Sequence, residues 1–427
     1  MRYGVGLDFG TTNSALGVAS PDGDVKLARF AHPEGASDTL RSILYFHPDL
    51  RGKDRRLRPI AGARAIERYL DADGEGRLIQ SLKSYLADRR FESTALFHRN
   101  YTLAELLTML LQEIRGEAES DRGFIGGRIV VGRPVRFANA DREEDDDFAV
   151  SRLRAALEAA SFGEVIFEYE PVAAAYYYER RLDHDELVLI ADFGGGTSDF
   201  SLIEVGPSRR AQGARRIVGN EGVAIAGDAL DAKIVHHLVA PCLGLGTTYR
   251  SVFDQVLTVP VWLYTKLRRW HHLSFLKSPK TIEMLEEIAD QSAEPGKIRA
   301  LLHLIDHDLG YHLYRAVERA KVELSSQEST RFVFNDGPIA IDQPLTRADF
   351  EQWTAEETGQ MAASVDRLLD RTGVPASKVD QVFMTGGTSF VPAVRRIFED
   401  RFGAAKIRAG GEMISVATGL ALRAAEA

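Results

Sequence analysis

The stretch LVLIADFGGGTSD, residues 187–199, constrains the fold more than any other. Its five apolar residues, 187–191, read as a strand buried on both faces. Asp192 stands where that strand leaves the core, and Gly194, Gly195 and Gly196 follow without a break. Three successive glycines lose too much entropy to be used for packing. They let backbone N–H groups come close to an anion and allow φ > 0. Thr197 offers a hydroxyl, and Asp199 opens a second strand over 200–205. The unit is strand, glycine turn, strand; a dinucleotide-binding or Walker-type loop would run into a helix instead.

A companion lies near the start: a strand over residues 3–8, then Phe9-Gly10-Thr11-Thr12-Asn13-Ser14, then the apolar run 15–19. The parts come in the same order, and a little under half the chain separates Asp8 from Asp192. Either loop alone reads as an ordinary hairpin turn. Two matched loops at domain-length spacing read as an internal duplication, with two related lobes each offering one loop to a shared phosphate chain.

A chain of 427 residues should hold two or more domains, and 44% hydrophobic with 27% charged residues describes a globular protein. The net charge of −9 argues against general affinity for nucleic acid or anionic membrane. A single cysteine, Cys242, permits no intrachain disulfide and suits a reducing compartment. No signal peptide is expected, because the N-terminus enters a strand at once and carries Asp8. No apolar run approaches membrane-spanning length. A cytoplasmic monomer or weak oligomer is expected, with no nucleic-acid partner and no stable membrane insertion.

Along the chain, apolar residues at 78, 82, 85 and 86 have helical spacing. Thr102 with Glu105 predicts a capping box for a helix to residue 119. The acidic run DREEDDD, 141–147, reads as the solvated start of a helix over 148–161 rather than a metal site. Pro171 starts another helix, and Gly227-Asp228 begins one over 229–238. Residues 241–305 are the least predictable; their run WLYTKLRRWHHLSFLKS suits core packing and a partner or membrane surface about equally. A helix is expected over 308–325, a long one capped by Thr346 over 346–371, and a last one over 412–425. His303 and His307 share a helix face, but no third ligand has motif spacing, so a packed or solvated pair is expected. Strands alternate with helices in both halves, giving an α/β class with mixed sheets.

A nucleoside triphosphate needs backbone donors around its phosphates, a divalent cation and a means of orienting the attacking oxygen. The two loops supply the donors, with Thr11, Thr12 and Thr197 as side-chain hydroxyls. Asp8 and Asp192 are hard oxygen groups at strand ends that suit Mg²⁺ held partly through water.

GLDFGTTNS and DFGGGTSD resemble the two phosphate loops of DnaK-type heat-shock chaperones, within the actin, sugar-kinase and chaperone ATPase superfamily. Further segments follow in the family's order. YEPVAAA at 169–175 resembles the family's Asn-Glu-Pro-Thr-Ala-Ala-Ala. Glu318-Arg319-Ala320-Lys321 with Leu324-Ser325-Ser326 resembles its Glu-Arg-Ala-Lys helix, and Met384-Thr385-Gly386-Gly387-Thr388 its adenosine loop. The resemblance implies the actin-like ATPase fold: two duplicated ribonuclease-H-like lobes, 1–183 and 184–427, flanking a nucleotide cleft, with an outer helical subdomain at about 228–325.

By the same resemblance, Lys83 corresponds to a catalytic lysine reaching the γ-phosphate and attacking water. On its own spacing it reads equally as a surface lysine. Glu170 corresponds to a glutamate ordering the magnesium waters, and Asp199, with Thr197, to groups near the nucleophilic water. Gly10, Thr11, Thr12, Asn13 and Gly194, Gly195, Gly196, Thr197 would hold phosphates, with Gly227-Asp228 nearby. Glu318, Lys321, Ser325, Gly386, Gly387 and Thr388 would hold adenosine. Two family arginines beside the adenine are replaced by Val322 and Phe390; Phe390 would either stack in their place or belong to the core. The sequence stops at Ala427, just after the ATPase module, without the apolar linker and β-sandwich peptide-binding domain of the family. VGRP, SLKSYL and YEPVAAAYYYE look closest to the YegD-like branch, which lacks that domain.

The function implied is ATP/ADP and Mg²⁺ binding with slow hydrolysis, lobe closure being read by a protein partner or client. An actin-like filament former would share the phosphate chemistry but need a self-complementary surface. A small-molecule kinase would need a carboxylate base beside a substrate hydroxyl. Sugar kinases often carry an arginine shortly after the first loop, where this chain has Ala15 and Leu16.

Overall fold

A computed structural model describes residues 3–50, 57–72, 75–123, 125, 127–211, 215–251, 253–268, 273, 276–410 and 414–426. The chain forms two compact units, Met1–Gly227 with Thr358–Ala427, and Asp228–Glu357.

The first unit holds two sheets that share one five-strand plan, the first with an extra short strand, Leu40–Arg41, beside Asn13–Ala19. In one, β1 (Gly4–Phe9), β2 (Asn13–Ala19) and β3 (Val25–Leu27) form an antiparallel meander. β4 (Arg128–Arg133) then lies parallel to β1, and β5 (Glu164–Tyr169) parallel to β4, giving the order β5-β4-β1-β2-β3. The other repeats the plan with β6 (Glu186–Phe193), β7 (Ser198–Val205), β8 (Arg216–Val223), β9 (Gln381–Thr385) and β10 (Ile407–Ala409). Its order is β8-β7-β6-β9-β10, with the same parallel and antiparallel pairings. Even the hairpin registers agree. Asp8 stands across from Ala15 and Phe9 from Ser14; Asp192 stands across from Asp199 and Phe193 from Ser198.

β1 and β6 are central strands, so their apolar runs are covered on both faces. Below β1 lies a core built with the helices Leu103–Arg122 and Glu143–Ala159, including Val5, Leu7, Leu106, Leu110 and Leu153. Val130 of β4 and Val188 and Ile190 of β6 share a second core with the helices Glu170–Glu179 and Ser415–Glu426. The closing helix packs very tightly. Side chains at Gly4 and Gly6 of β1 would collide with its backbone at Ala421, and one at Gly419 would strike the carbonyl of Ala173. Gly419→Val should therefore destabilise the protein by at least about 1–3 kcal/mol, the usual range for an overpacked core. Urea unfolding of the variant beside the parent checks this, and an unchanged midpoint would contradict it.

Most expected elements are present, with instructive differences. Residues 78–87 are not a helix. Arg77–Gln80 is a strand paired antiparallel with Ile43–Phe46, and a 3-10 turn, Leu82–Tyr85, follows it. Tertiary pairing overrides the helical spacing. Thr102 caps its helix with the reciprocal Glu105 bond. The acidic run does open a helix, Glu143–Ala159, but two of its carboxylates are buried rather than solvated. Asp146 accepts the Phe137 N–H at 2.7 Å, and Asp145 pairs with Arg89 at 3.1 Å. The long helix capped by Thr346 is divided into Arg347–Trp353 and Ala355–Thr372. Thr354, at the break, donates its hydroxyl to the Phe350 carbonyl.

The second unit contains the helices Pro279–Gln291, Pro295–Asp306 and Gly310–Ser326 and the hairpin of Ser329–Asp336 with Ile339–Thr346. Leu263 and Leu267 are buried while Trp262 is exposed; residues 269–272, 274 and 275 of the aromatic run lie outside the described residues. His303 bonds Asp336 at 2.8 Å, with its ring 4.0 Å from that of His307. Among the described residues no helix is long and apolar enough to cross a membrane.

Candidate functional site

The two glycine turns meet. In the first, Gly10 has no room for a side chain, which would strike the Asn13 carbonyl. In the second, the Gly194 N–H donates to the Thr197 carbonyl at 2.9 Å and closes the bend. A methyl group at Gly196 would stand 4.0 Å from Thr11 Oγ1 and 3.8 Å from Ser84 Oγ. Thus Thr11 of the first turn and Ser84 border the space beside Gly196 of the second.

Behind the turns lies a cluster of charges. Lys83 and Glu170, both buried, form an ion pair of 2.6 Å. Lys83 rides on the 3-10 turn that follows Ser81, a non-glycine residue held at φ 56°. Such backbone strain persists only where the surroundings impose it. Glu170 is the first residue of its helix, directly after β5, with Pro171 in the first turn. Asp8 and Asp192 occupy equivalent places, one residue before the ends of β1 and β6. Asp199 is almost wholly buried on β7, where its Oδ1 accepts the N–H groups of Val135 at 2.7 Å and Arg136 at 3.3 Å.

Four carboxylates surround one ammonium, and the protonation equilibria register the excess. Burial, with Glu170 nearby, pushes the Asp8 carboxyl up to about 7 against the pull of Lys83. Burial and Glu170 push Asp199 up to about 7 as well, although Thr197 and the two N–H donors work the other way. Burial, Glu170, Asp8 and Asp199 together raise Asp192 well above the usual carboxylate range. Burial alone would lower the Lys83 ammonium; Glu170, Asp8 and Asp199 outweigh it and hold the value above normal. Uncompensated buried anions of this kind suit a hard cation. Among the described residues no three His, Cys, Asp or Glu side chains close a ready-made metal cage.

A third turn leaves β9, whose Thr385 lies beside Asp192. Gly386 has φ 84°, and a side chain there would strike the Phe193 carbonyl; Gly387 faces open space. Thr388 is buried, and Ser389 donates to the Gly386 carbonyl at 2.6 Å. Phe390 is 54% exposed and so does not belong to the core. This turn opens at the carboxyl end of a parallel strand, the usual ligand side of such sheets.

The sequence matches the family described as Hsp70 protein over residues 82–242 and 304–425, more than half of the chain. The chain belongs to the Hsp70 family. The Hsp70 fold is the actin-like ATPase fold, and the paired five-strand plans are its duplicated halves. Chaperone protein DnaK of Thermosipho africanus is 24% identical over 435 residues, covering 99% of this chain and 59% of the relative. Chaperone protein DnaK of Thermosipho melanesiensis is 23% identical with the same coverage. The chain therefore spans less than two thirds of the length of these relatives.

Of the expected Hsp70 site residues, the first unit carries Asp8, Gly10, Thr11, Thr12, Asn13, Lys83, Glu170, Asp192, Gly194, Gly195, Gly196, Thr197, Asp199, Gly386, Gly387 and Thr388; Gly227 ends its first segment. Asp228, Glu318, Lys321 and Ser325 belong to the second unit. There Lys321 pairs with Asp231, and Ser325 donates to the Lys321 carbonyl at 3.1 Å. Val322 is exposed on the same helix. Four residues escaped the sequence reading. The Val135 and Arg136 amides carry no side-chain signal at all. Ser84 is marked only by its place after Lys83, and Asp231 by standing one helical turn beyond Asp228.

Proposed function

We propose that this chain binds Mg·ATP, hydrolyses it slowly to ADP and phosphate, and closes its lobes, 1–183 and 184–427, over the nucleotide. A protein partner or client would read that closure, as in a chaperone. The observation that carries the reading is the pair of equivalent turns, Gly10 and Gly194 to Gly196, meeting above the Lys83–Glu170 pair and the three aspartates.

In this reading the backbone N–H groups of both turns hold the phosphates, with Thr11, Thr12, Asn13 and Thr197 beside them. Asp8 and Asp192 would hold Mg²⁺ partly through water, and Glu170 would order those waters. The ion, when bound, neutralises charge on the phosphate oxygens. Lys83 reaches the terminal phosphate and orients the attacking water. Asp199, its carboxylate fixed by the Val135 and Arg136 amides, would accept a proton from that water as it attacks the terminal phosphorus and ADP leaves. Glu318, Lys321 and Ser325, with Gly386, Gly387 and Thr388, hold adenosine, and Gly227-Asp228 lies near the phosphates. The acidic net charge and single cysteine support a cytoplasmic monomer or weak oligomer.

Isothermal titration of the full chain with Mg·ATP tests the first step. Saturable heat with one site per chain is expected, and its absence at high protein concentration overturns the reading.

A further inference from the structure

In the second unit the helix Gly227–Ile234 widens into a π-helical turn, Val235–Val239, before resuming over Ala240–Cys242. Pro241 has no N–H to give the His237 carbonyl four residues back, so the regular ladder breaks here. Such turns are rare and occur frequently at functional places. This one carries His236 and His237, whose rings meet edge to face at 4.9 Å. His237 also stacks nearly flat on Trp353, 4.7 Å away.

His236 Nδ1 lies 2.9 Å from Arg268 Nη2. A guanidinium only donates, so Nδ1 is the acceptor and the proton of the neutral ring sits on Nε2. Arg268 ends the helix Val261–Leu267, and its own N–H closes the last turn on the Tyr264 carbonyl at 3.2 Å. The Arg268 Nε is buried without a hydrogen bond, and among the described residues no carboxylate pairs with this guanidinium. The charges acting on the two rings are Lys233 on their own helix and Arg268 from the neighbouring segment, with His237 acting on His236 as well. Glu356 and Glu357, on the helix after Trp353, are committed to Lys233 at 3.9 and 2.8 Å. Burial and the cations together hold both rings below the ordinary histidine value.

We propose that His236 and Arg268 form an acid-released latch that fastens the helix Val261–Leu267 to the π-turn. A neutral His236 offers its Nδ1 lone pair to the guanidinium. A proton taken up there from solvent occupies that lone pair, so two cations face each other at hydrogen-bond distance and Arg268 swings away into water. The buried side chains of Leu263, Tyr264 and Leu267 keep the helix attached while its last turn loosens. The same helix presents exposed Val261 and Trp262, so acidity governs how firmly that surface is held. The latch lies within the second unit and does not depend on nucleotide binding.

The test is amide hydrogen exchange of the full chain at pH 7.5 and pH 5.0, read by mass spectrometry on peptides covering 263–268 and corrected for the intrinsic rate at each pH. Protection of these amides should fall by about 10–100-fold at the lower pH, the factor carried by one hydrogen bond from a charged donor. His236→Asn puts an amide oxygen where Nδ1 stood and takes up no proton, so its protection should differ by less than about threefold between the two pH values. Arg268→Gln keeps the test open if that variant does not fold. Its amide can donate to the neutral ring and accept from the charged one, so the pH dependence should vanish there too. His237→Gln should retain the full fall, because the bond to Arg268 belongs to His236. Equal protection of the parent at both pH values, a fall that persists in His236→Asn or Arg268→Gln, or one abolished by His237→Gln would overturn the latch.

Discussion

Lys83→Ala slows ATP turnover by about 10²–10³-fold, the range for removing one preorganised transition-state donor, while the Kd for Mg·ADP changes by less than about tenfold. The split follows from where Lys83 sits. Its ammonium is committed to Glu170 at 2.6 Å, and in the proposed complex ground-state phosphate binding falls mainly to the backbone of the two turns. A second consequence is structural. Glu170 loses its partner in a buried place, and breaking such a pair costs about 3–5 kcal/mol. Turnover, titration and urea unfolding of one variant check all three statements. Equal turnover in parent and variant would mark Lys83 as a structural lysine only.

The metal-free protein is more stable at pH 5.5 than at pH 7.5. Asp8 and Asp199 each titrate at about 7 in the folded chain against an ordinary 3.8, and Asp192 is shifted in the same direction. The native state therefore keeps protons that the unfolded state has released. The stabilisation is fully present below about pH 4 and is lost as pH rises through about 7. Lys83, raised above its ordinary 10.5, stays charged across this window and adds no slope. His236 and His237, lowered by burial and by nearby cations, pull the other way, but they are less buried than the aspartates. In the proposed complex the Mg²⁺ ion supplies positive charge beside these carboxylates, so saturating Mg·ADP should remove most of the difference. Melting temperatures in chelator and in Mg·ADP at the two pH values decide this. Equal chelator values, or a higher one at pH 7.5, would show that the carboxylates are not strained against one another.

Glycine runs made the turns legible in advance. Nothing packs well with three glycines in succession, so strand, turn and strand were the only economical reading of 187–205. The duplication was legible because two such bends occur at domain spacing. That the two sheets share one strand order and one hairpin register was not legible, since register depends on partners far away in sequence. The stretch around Lys83 was misread for a related reason. Leu78 is buried by a strand partner at Tyr45, yet its spacing to Leu82, Tyr85 and Leu86 imitates a helix. The acidic run was half legible: its place at a helix start followed from electrostatics, but the burial of Asp145 and Asp146 depends on Arg89 and the Phe137 amide. Asp199 could be named from its motif, whereas its backbone donors carry no side-chain label.

The closing helix has a consequence for how the molecule is made. β1 leaves the ribosome well before residues 415–426, yet its Gly4 and Gly6 lie bare until those residues cover them. The sheet built on β1 must therefore wait, incomplete, through the synthesis of the residues in between. Long-range closure of this kind is slow and leaves apolar surface open to wrong partners. A newly made chain of this fold is open to misassembly until that helix docks.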